Sequence, residues 1–274
     1  MRTIEQTLDF QADAATHKVG ELRHPLRFAV SGMLAGAYVG IAVVLMLSTA
    51  GPLAATDDGL AKLVSGLVFG IALTLVVFAG AELVTSSMMT LTQGALMRAT
   101  PRTPTAGALG FTFAANLLGS AVFGILVAIA GVLHDNSAAA DMLQAMLDAK
   151  AHEAPLQLFV RGILCNILVC LAIWMVARLT SDGPKLAVIF WALLAFIASG
   201  FEHVVANMTT FTLGFATGVE SATWTSFGTN MLWVGLGNLV GGALVVGLAY
   251  WLIGGSPRYR APNETVTVDA PASA

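Results

Sequence analysis

Long apolar stretches alternate with short polar connections along the chain, and six of them are long enough to form membrane-spanning helices. A span needs about 20 residues to cross a bilayer. Residues 1–25 carry apolar side chains at helical spacing among acidic and polar ones, which predicts an amphipathic helix along the membrane surface. The three prolines and small polar residues of 255–274 predict a disordered tail. The six candidate spans are 26–48, 62–98, 107–133, 156–179, 186–217 and 228–254.

The composition excludes the water-soluble classes of protein. Apolar types make up 57% of the 274 residues and charged types only 11%, whereas a soluble domain carries roughly 25% charged residues. A net charge of -3 leaves no basic surface for nucleic acid, so nucleic acid is not expected as a partner. The two cysteines, Cys165 and Cys170, lie in one apolar stretch without the spacing of a metal or redox motif, so we interpret them as core residues.

The distribution of positive charge predicts the orientation of the chain. Six spans place both termini on one side of the membrane, and ten of the thirteen lysines and arginines lie on that side, in the termini and the even-numbered loops. Because cytoplasmic loops are enriched in these residues, both termini and the tail are expected to be cytoplasmic.

The second and fifth stretches are too long for single straight helices. Residues 62–98 and 186–217 would extend roughly 55 and 48 Å at 1.5 Å per residue, against a hydrocarbon core of about 30 Å. Clusters of helix-weakening residues lie near the middle of each, at 79–87 and 198–208. The sequence therefore predicts that both helices are broken within the membrane.

Three short motifs recur in the same order in the two halves of the chain. A three-span unit repeated in tandem must start from opposite sides of the membrane, so the halves are predicted to be inverted repeats, about 26–133 and 156–254. Inverted repeats with one broken helix each are a transport architecture. The motifs pair Gly32 with Gly162, Glu82 with Glu202, and Asn116 with Asn238.

Ionisable residues occur at both predicted breaks. A free charge at membrane depth is costly, so we favour a role in which Glu82 and Glu202 accept N–H bonds from the broken turns; a direct role in handling protons or substrate is the alternative. His203 has no counterpart, because Leu83 occupies the equivalent position. It is either a satisfied core histidine or a proton-responsive gate, since burial disfavours the imidazolium and an arriving anion favours it.

Metal chemistry is not expected, because no span contains a second histidine and no metal-binding motif is present. Lys150, in the long outer loop before the fourth span, is one of only three basic residues on that side. At the mouth of a pore it would draw small anions inward. A merely solvated loop lysine is the alternative.

Apolar residues beside the breaks are candidates for the wall of a narrow passage. Phe69 and Leu73 face one side of the second stretch, and Phe196 precedes the second break. Asn166 and Val169 share a face of the fourth span. Ordinary packing is the alternative for each, and only the neighbouring breaks give these positions functional meaning.

Three strings resemble the formate/nitrite transporter family, and most closely its bacterial nitrite-transporting members. They are FGIALTLVVFAGAELVTS at 69–86, RGILCNILVCLAIWM at 161–175 and LLAFIASGFEHVVANMT at 193–209. The resemblance runs from about residue 26 to 254. It implies a homopentamer of aquaporin-like protomers, each with its own pore, carrying small monovalent anions such as nitrite or formate.

The resemblance also implies roles for individual residues. The family usually has an aromatic residue after the leucine of the first break, where Val84 stands here, so the constriction and its gating are expected to differ. Constriction residues would be Phe69, Leu73, Leu83, Val84, Val169 and Phe196; the polar midplane site Thr85, Asn166 and His203; the vestibule lysine Lys150; and the residues bracing the breaks Glu82, Glu202 and Asn207.

These observations favour a channel or transporter in the bacterial inner membrane for small weak-acid anions, most of all nitrite and also formate. His203 would make permeation pH-dependent or proton-coupled, and no cofactor is required. An aquaporin-like channel for neutral solutes is the main alternative. A membrane-embedded enzyme ranks lower, because no nucleophile with a positioned base can be assembled from the chain.

Overall fold

A computed structural model describes residues 1–57 and 59–259, and its regular structure in those ranges is entirely helical. The first half contains α1 (Ile4–Gly20), α2 (Pro25–Ala54), α3 (Ala61–Phe69), α4 (Ile71–Leu75), α5 (Val84–Leu96) and α6 (Arg102–Ile129). The second half contains α7 (Ser137–His152), α8 (Pro155–Arg178), α9 (Asp182–Ala198), α10 (Val204–Thr217), α11 (Trp224–Leu239) and α12 (Ala249–Ile253). A 3-10 turn (Glu21–Arg23) and two π-helical segments (Val76–Gly80 and Val240–Leu248) connect neighbouring helices.

Five helical segments in the described ranges are long and apolar enough to cross a membrane: Pro25–Ala54, Ala61–Gly80, Arg102–Ile129, Pro155–Arg178 and Trp224–Ile253. They correspond to all of the predicted spans except 186–217. That stretch forms α9 and α10, of 17 and 14 residues, and neither piece is long enough alone. The described residues therefore form a helical fold with five candidate membrane spans, and the fifth stretch contributes two short helices.

Both over-long stretches are interrupted where the sequence weakens the helix. The π-helical segment ends at Gly80 and α5 begins at Val84, while α9 ends at Ala198 and α10 begins at Val204. Gly80 and Gly200 have φ values of +79° and +72°. This left-handed conformation is open to glycine and costly for residues with a β-carbon, so each break is encoded by a glycine at the point where the chain turns.

The two halves pack in the same way at a second pair of glycines. A β-carbon on Gly119 of α6 would overlap the carbonyl oxygen of Met33 on α2. A β-carbon on Gly241, in the π-helical segment that follows α11, would overlap the carbonyl oxygen of Ile163 on α8. Glycine therefore allows backbone-to-backbone contact between the first and third long helices of each half.

The predicted long outer loop is mostly helical. Residues 137–152 form α7, whose first turn is capped by the Asn136 side chain accepting the Ala139 N–H at 3.1 Å. Lys150 is therefore on a helix and is buried. Lys150 lies in the connection between the third and fourth spans, as predicted, but this connection is helical, and the burial of the side chain disfavours the alternative of a merely solvated lysine.

The predicted N-terminal helix is present as α1, beginning at a capping box between Thr3 and Gln6. Its buried face packs against α5 and α8. Residues 260–274 of the predicted tail lie outside the described residues. In the preceding segment, the Tyr259 N–H donates to the Met97 carbonyl at 2.9 Å.

Candidate functional site

The amide of Asn116 holds the first helix break. Its Nδ2 donates to the carbonyl oxygens of Gly32 and Glu82, both at 2.8 Å. Its Oδ1 accepts the N–H of Val84, the first residue of α5, at 2.9 Å. One buried side chain therefore satisfies a carbonyl before the new helix and an N–H at its start, where no intrahelical partner exists.

Asn238 makes the same three bonds at the second break. Its Nδ2 donates to Gly162 O at 2.8 Å and to Glu202 O at 2.9 Å, and its Oδ1 accepts the Val204 N–H at 2.9 Å. The three motif pairs that recur in the sequence thus meet at two matching points in space. The repeated residues are those that form the break.

The carboxylates of both breaks contact lysines rather than the N–H groups of the broken turns. Glu82 pairs with Lys18 of α1. Both oxygens of Glu202 accept from Lys150 Nζ at 2.6 Å, and Oε2 also accepts from Asn207 Nδ2 at 2.6 Å. The brace expected of the glutamates is supplied by Asn116 and Asn238, because an amide can donate and accept at once whereas a carboxylate can only accept.

His203 is the N-cap of α10, and its bonds indicate the tautomer of the neutral ring. The imidazole is 5% exposed. Nδ1 accepts the Ala206 N–H at 3.2 Å, and Nε2 lies 3.0 Å from Thr85 Oγ1. Because Nδ1 accepts, a neutral ring must carry its hydrogen on Nε2 and donate it to Thr85. The contact between Thr85 and His203 joins the two breaks.

Thr85 and Asn166 are fully buried behind this imidazole. Asn166 Nδ2 donates to the Thr85 carbonyl at 3.1 Å and to the Asn238 carbonyl at 2.7 Å. Of the three residues assigned to the polar midplane site, His203 alone lines the cavities described below. Asn166 instead connects α8 to both breaks.

Two cavities and a narrow point follow one another along the second stretch: Phe69 lines the first cavity, Leu73 lines the narrow point, and Val76 lines the second cavity. The α7 vestibule has a volume of about 250 Å³, and its charged lining residues are Lys62, Lys150, Glu153, Arg161 and Glu202. The α1 vestibule has a volume of about 460 Å³, and its charged lining residues are Arg2, Lys18 and Lys185. In the α7 vestibule, burial raises the pKa of the Glu153 carboxyl; the charge of Glu202 raises it further, while Arg161 and Lys150 lower it.

The narrow point is an apolar pocket of only about 10 Å³ beside His203. One water molecule needs roughly 10–15 Å³, so the pocket does not hold a hydrated ion. Phe69 and Phe196 meet edge to face at 5.8 Å, and Phe196 lies 6.0 Å from the imidazole. The predicted constriction residues Phe69, Leu73, Leu83, Val169 and Phe196 all line this pocket, together with Val39, Ala72 and Leu193.

Val84 lies elsewhere, because it packs in the core and uses its N–H to bond Asn116. Val84, which stands where an aromatic residue was expected, is therefore the first residue of α5 and does not line the pocket.

The pairing of Lys18 with Glu82 was not predicted from the sequence. The available signal was the repeat itself: Lys18 precedes the first long helix of its half as Lys150 precedes that of the other half. Within residues 1–57 and 59–259, no group of three His, Cys, Asp or Glu side chains is placed to hold a metal ion.

Comparisons with known proteins agree on one family. A model of the formate/nitrite transporter family matches residues 5–252. The nitrite transporter NirC of Escherichia coli (strain K12) is 43% identical, covering 89% of this chain and 91% of the relative. The formate channel FocA of the same strain is 32% identical, covering 91% and 96%.

Solved structures give the same result. An FNT family ion channel superimposes with a TM-score of 0.84 at 38% identity, covering 90% of this chain and 98% of the other. A pentameric formate channel with formate bound gives 0.72 at 30% identity, covering 84% and 98%. The resemblance seen in the sequence is confirmed, and the chain belongs to the formate/nitrite transporter family of membrane channels and transporters.

Proposed function

We propose that the chain forms a pentameric channel in the bacterial inner membrane for small monovalent weak-acid anions, with nitrite as the first substrate and formate as the second. The observation that carries the proposal is the narrow apolar pocket beside His203, together with the two charged vestibules that are lined by the same stretch of chain. The bacterial relatives named for nitrite and formate support the substrate class, and the pentameric formate channel supports the assembly.

The proposed crossing has six spans in two inverted repeats, with both termini cytoplasmic. Matching Asn116 and Asn238 bonds, matching glycine contacts and a lysine paired to each break glutamate support a common unit repeated twice. In this orientation the α1 vestibule opens to the cytoplasm and the α7 vestibule to the periplasm.

The charges of the vestibules favour anions over neutral solutes. In the α7 vestibule three cationic side chains face two carboxylates. Of the three cations that line the α1 vestibule, Lys18 pairs with Glu82 and Lys185 with Asp182, so each vestibule has an excess of one cation. A net positive mouth raises the local concentration of anions. An excess of positive charge would not raise the local concentration of neutral solutes, so an aquaporin-like channel for such solutes does not require it.

Passage through the pocket requires the anion to lose its water. Moving an unpaired ion into apolar surroundings is very costly, whereas a neutral acid crosses at much lower cost. The described tautomer of His203 offers an Nε2–H donor, and full protonation of the ring would break its bond from Ala206. We infer that the anion competes with Thr85 for this hydrogen and that protonation of the ring is transient.

Flux through purified protein in liposomes tests the proposal. Nitrite, formate, chloride and glycerol are supplied at several pH values to wild type, to Leu73→Trp and to Leu126→Trp, a matched change at an exposed position of α6. We expect Leu73→Trp to abolish anion flux by filling the pocket and Leu126→Trp to preserve it, with both oligomers intact.

Three outcomes would contradict the proposal. Equal anion flux in the two tryptophan variants would place the route elsewhere. Glycerol uptake without anion flux would favour the neutral-solute channel. Chemical conversion of a substrate without its movement across the membrane would favour an enzyme. That result would disagree with the channels and transporters that make up the family.

A further inference from the structure

A third cavity, of about 1000 Å³, lies away from the transport pathway, where α5 ends and α6 begins. Three arginines line it: Arg98 from the α5–α6 turn, Arg102 at the start of α6, and Arg258 from the segment after α12. The lining contains no acidic residue, and none of the three arginines is ion-paired with any residue in the described part of the chain. Two separate segments, 92–109 and 251–258, thus converge to give an unneutralised cationic site.

The backbone at Arg98 holds this side chain in a strained conformation at the edge of the cavity. Arg98 has a φ of +64°. Its N–H donates to Ala95 O at 3.2 Å, and the Ala99 N–H donates to Gly94 O at 2.8 Å. This is the Schellman ending of a helix, whose left-handed position is usually glycine. An arginine there strains the backbone and aims a cation into the cavity.

Arg258 is also held in place. The Tyr259 N–H donates to Met97 O at 2.9 Å, and Trp251 Nε1 donates to the carbonyl of Pro257 at 3.1 Å. These bonds tie the segment carrying Arg258 to the turn carrying Arg98. The site is therefore pre-formed from both sides.

Beside the arginines the cavity is apolar. Leu96, Leu109 and the indole of Trp251 line it, and Leu252 and Ile253 of α12 are 55% and 63% exposed. Tryptophan and arginine at the ends of spans are typical of the headgroup level of a bilayer. A ligand with an anionic phosphate and an attached hydrocarbon chain matches both parts of this surface.

We propose that the cavity binds the phosphate of an anionic phospholipid headgroup, with Arg98, Arg102 and Arg258 around the phosphate. Guanidinium groups bind phosphate oxygens in a bidentate manner. Inorganic phosphate has the same anionic oxygens but carries no hydrocarbon chain. The proposal is independent of the anion pathway, because the cavity shares no lining residue with either vestibule.

Native mass spectrometry of the detergent-solubilised oligomer tests it with phosphatidylglycerol, with phosphatidylcholine of the same acyl chains, and with inorganic phosphate. Arg98→Gln/Arg258→Gln removes two cations inside the cavity. Arg23→Gln/Arg27→Gln removes two exposed cations outside it. With each contact contributing about fivefold, we expect phosphatidylglycerol to bind the first variant roughly 25-fold more weakly and the second as tightly as wild type.

A third variant separates binding from folding. Arg98→Gly relieves the left-handed backbone, so in lipid-free detergent its Tm should equal or exceed that of wild type, while its affinity for phosphatidylglycerol falls about fivefold. Equal weakening in the two double variants would overturn the proposal, as would equal retention of the two lipids. Binding of inorganic phosphate without preference for phosphatidylglycerol would replace the lipid with a soluble anion.

Discussion

Replacing Lys150 with methionine tests the buried ion pair of the α7 vestibule. Both Glu202 oxygens lie 2.6 Å from Lys150 Nζ, and the two side chains are only 7% and 8% exposed. Methionine fills a similar volume without charge and leaves the carboxylate with Asn207 as its remaining donor. Removing one partner of a buried pair costs about 3–5 kcal/mol of folding free energy.

Two comparisons isolate the cause. Lys18→Met breaks the equivalent pair, whose side chains are 16% and 18% exposed, so its cost should be smaller than that of Lys150→Met, between the ~1 kcal/mol of surface pairs and the cost of buried ones. The double variant Lys150→Met/Glu202→Gln removes both charges, and its glutamine oxygen still accepts from Asn207. It should recover most of the loss.

Thermal unfolding of the solubilised oligomer, followed by tryptophan fluorescence, measures the effect. A loss of 3–5 kcal/mol corresponds to a Tm decrease of roughly 6–20 °C for a chain of this size. The reasoning is refuted if Lys150→Met unfolds at the wild-type temperature, or if the double variant is as unstable as the single one.

Three further changes test other parts of the site. His203→Leu should keep the oligomer and lose the pH dependence of nitrite flux in liposomes, because leucine offers no hydrogen to the anion. Asn238→Ala should lower Tm by removing three bonds of the second break, each worth about 1 kcal/mol and more where a buried partner is left unsatisfied; Asn116→Ala should have a similar effect on the first. Gly119→Ala should destabilise by about 1–3 kcal/mol, because its β-carbon overlaps the Met33 carbonyl.

Each of these expectations has its own contrary result. An unchanged pH profile in His203→Leu would remove the imidazole from the gate. A wild-type Tm in either asparagine variant would mean that the breaks are held by packing alone. A stable Gly119→Ala protein would show that α2 and α6 separate at little cost.

The breaks could be predicted from sequence because membrane thickness limits helix length. Residues 62–98 and 186–217 exceed that limit, and both are interrupted at a glycine. The repeated motifs were equally informative, because forming a break requires one amide bonded to two carbonyls and an N–H. Asn116 supplies this amide in the first half of the chain, and Asn238 supplies it in the second.

The contacts of Glu82 and Glu202 could not be predicted in the same way. Their lysines lie 64 and 52 residues away in the chain, on helices outside the spans. The periodicity of neighbouring residues does not indicate which residues so far apart in the chain lie close together in space. Five of the six residues assigned to the constriction line one apolar pocket. Asn166 and Val84 were also assigned to the pathway, but the structure buries both in contacts between helices.

The bonding of each break within its own half has a consequence for biosynthesis. Every partner of Asn116 lies between residues 32 and 116, and every partner of Asn238 between 162 and 238. Because the N-terminal part of a chain emerges from the ribosome first, the first bend can be locked before the second is synthesised. Each break can therefore form within its own half, and docking of the halves brings Thr85 and His203 together.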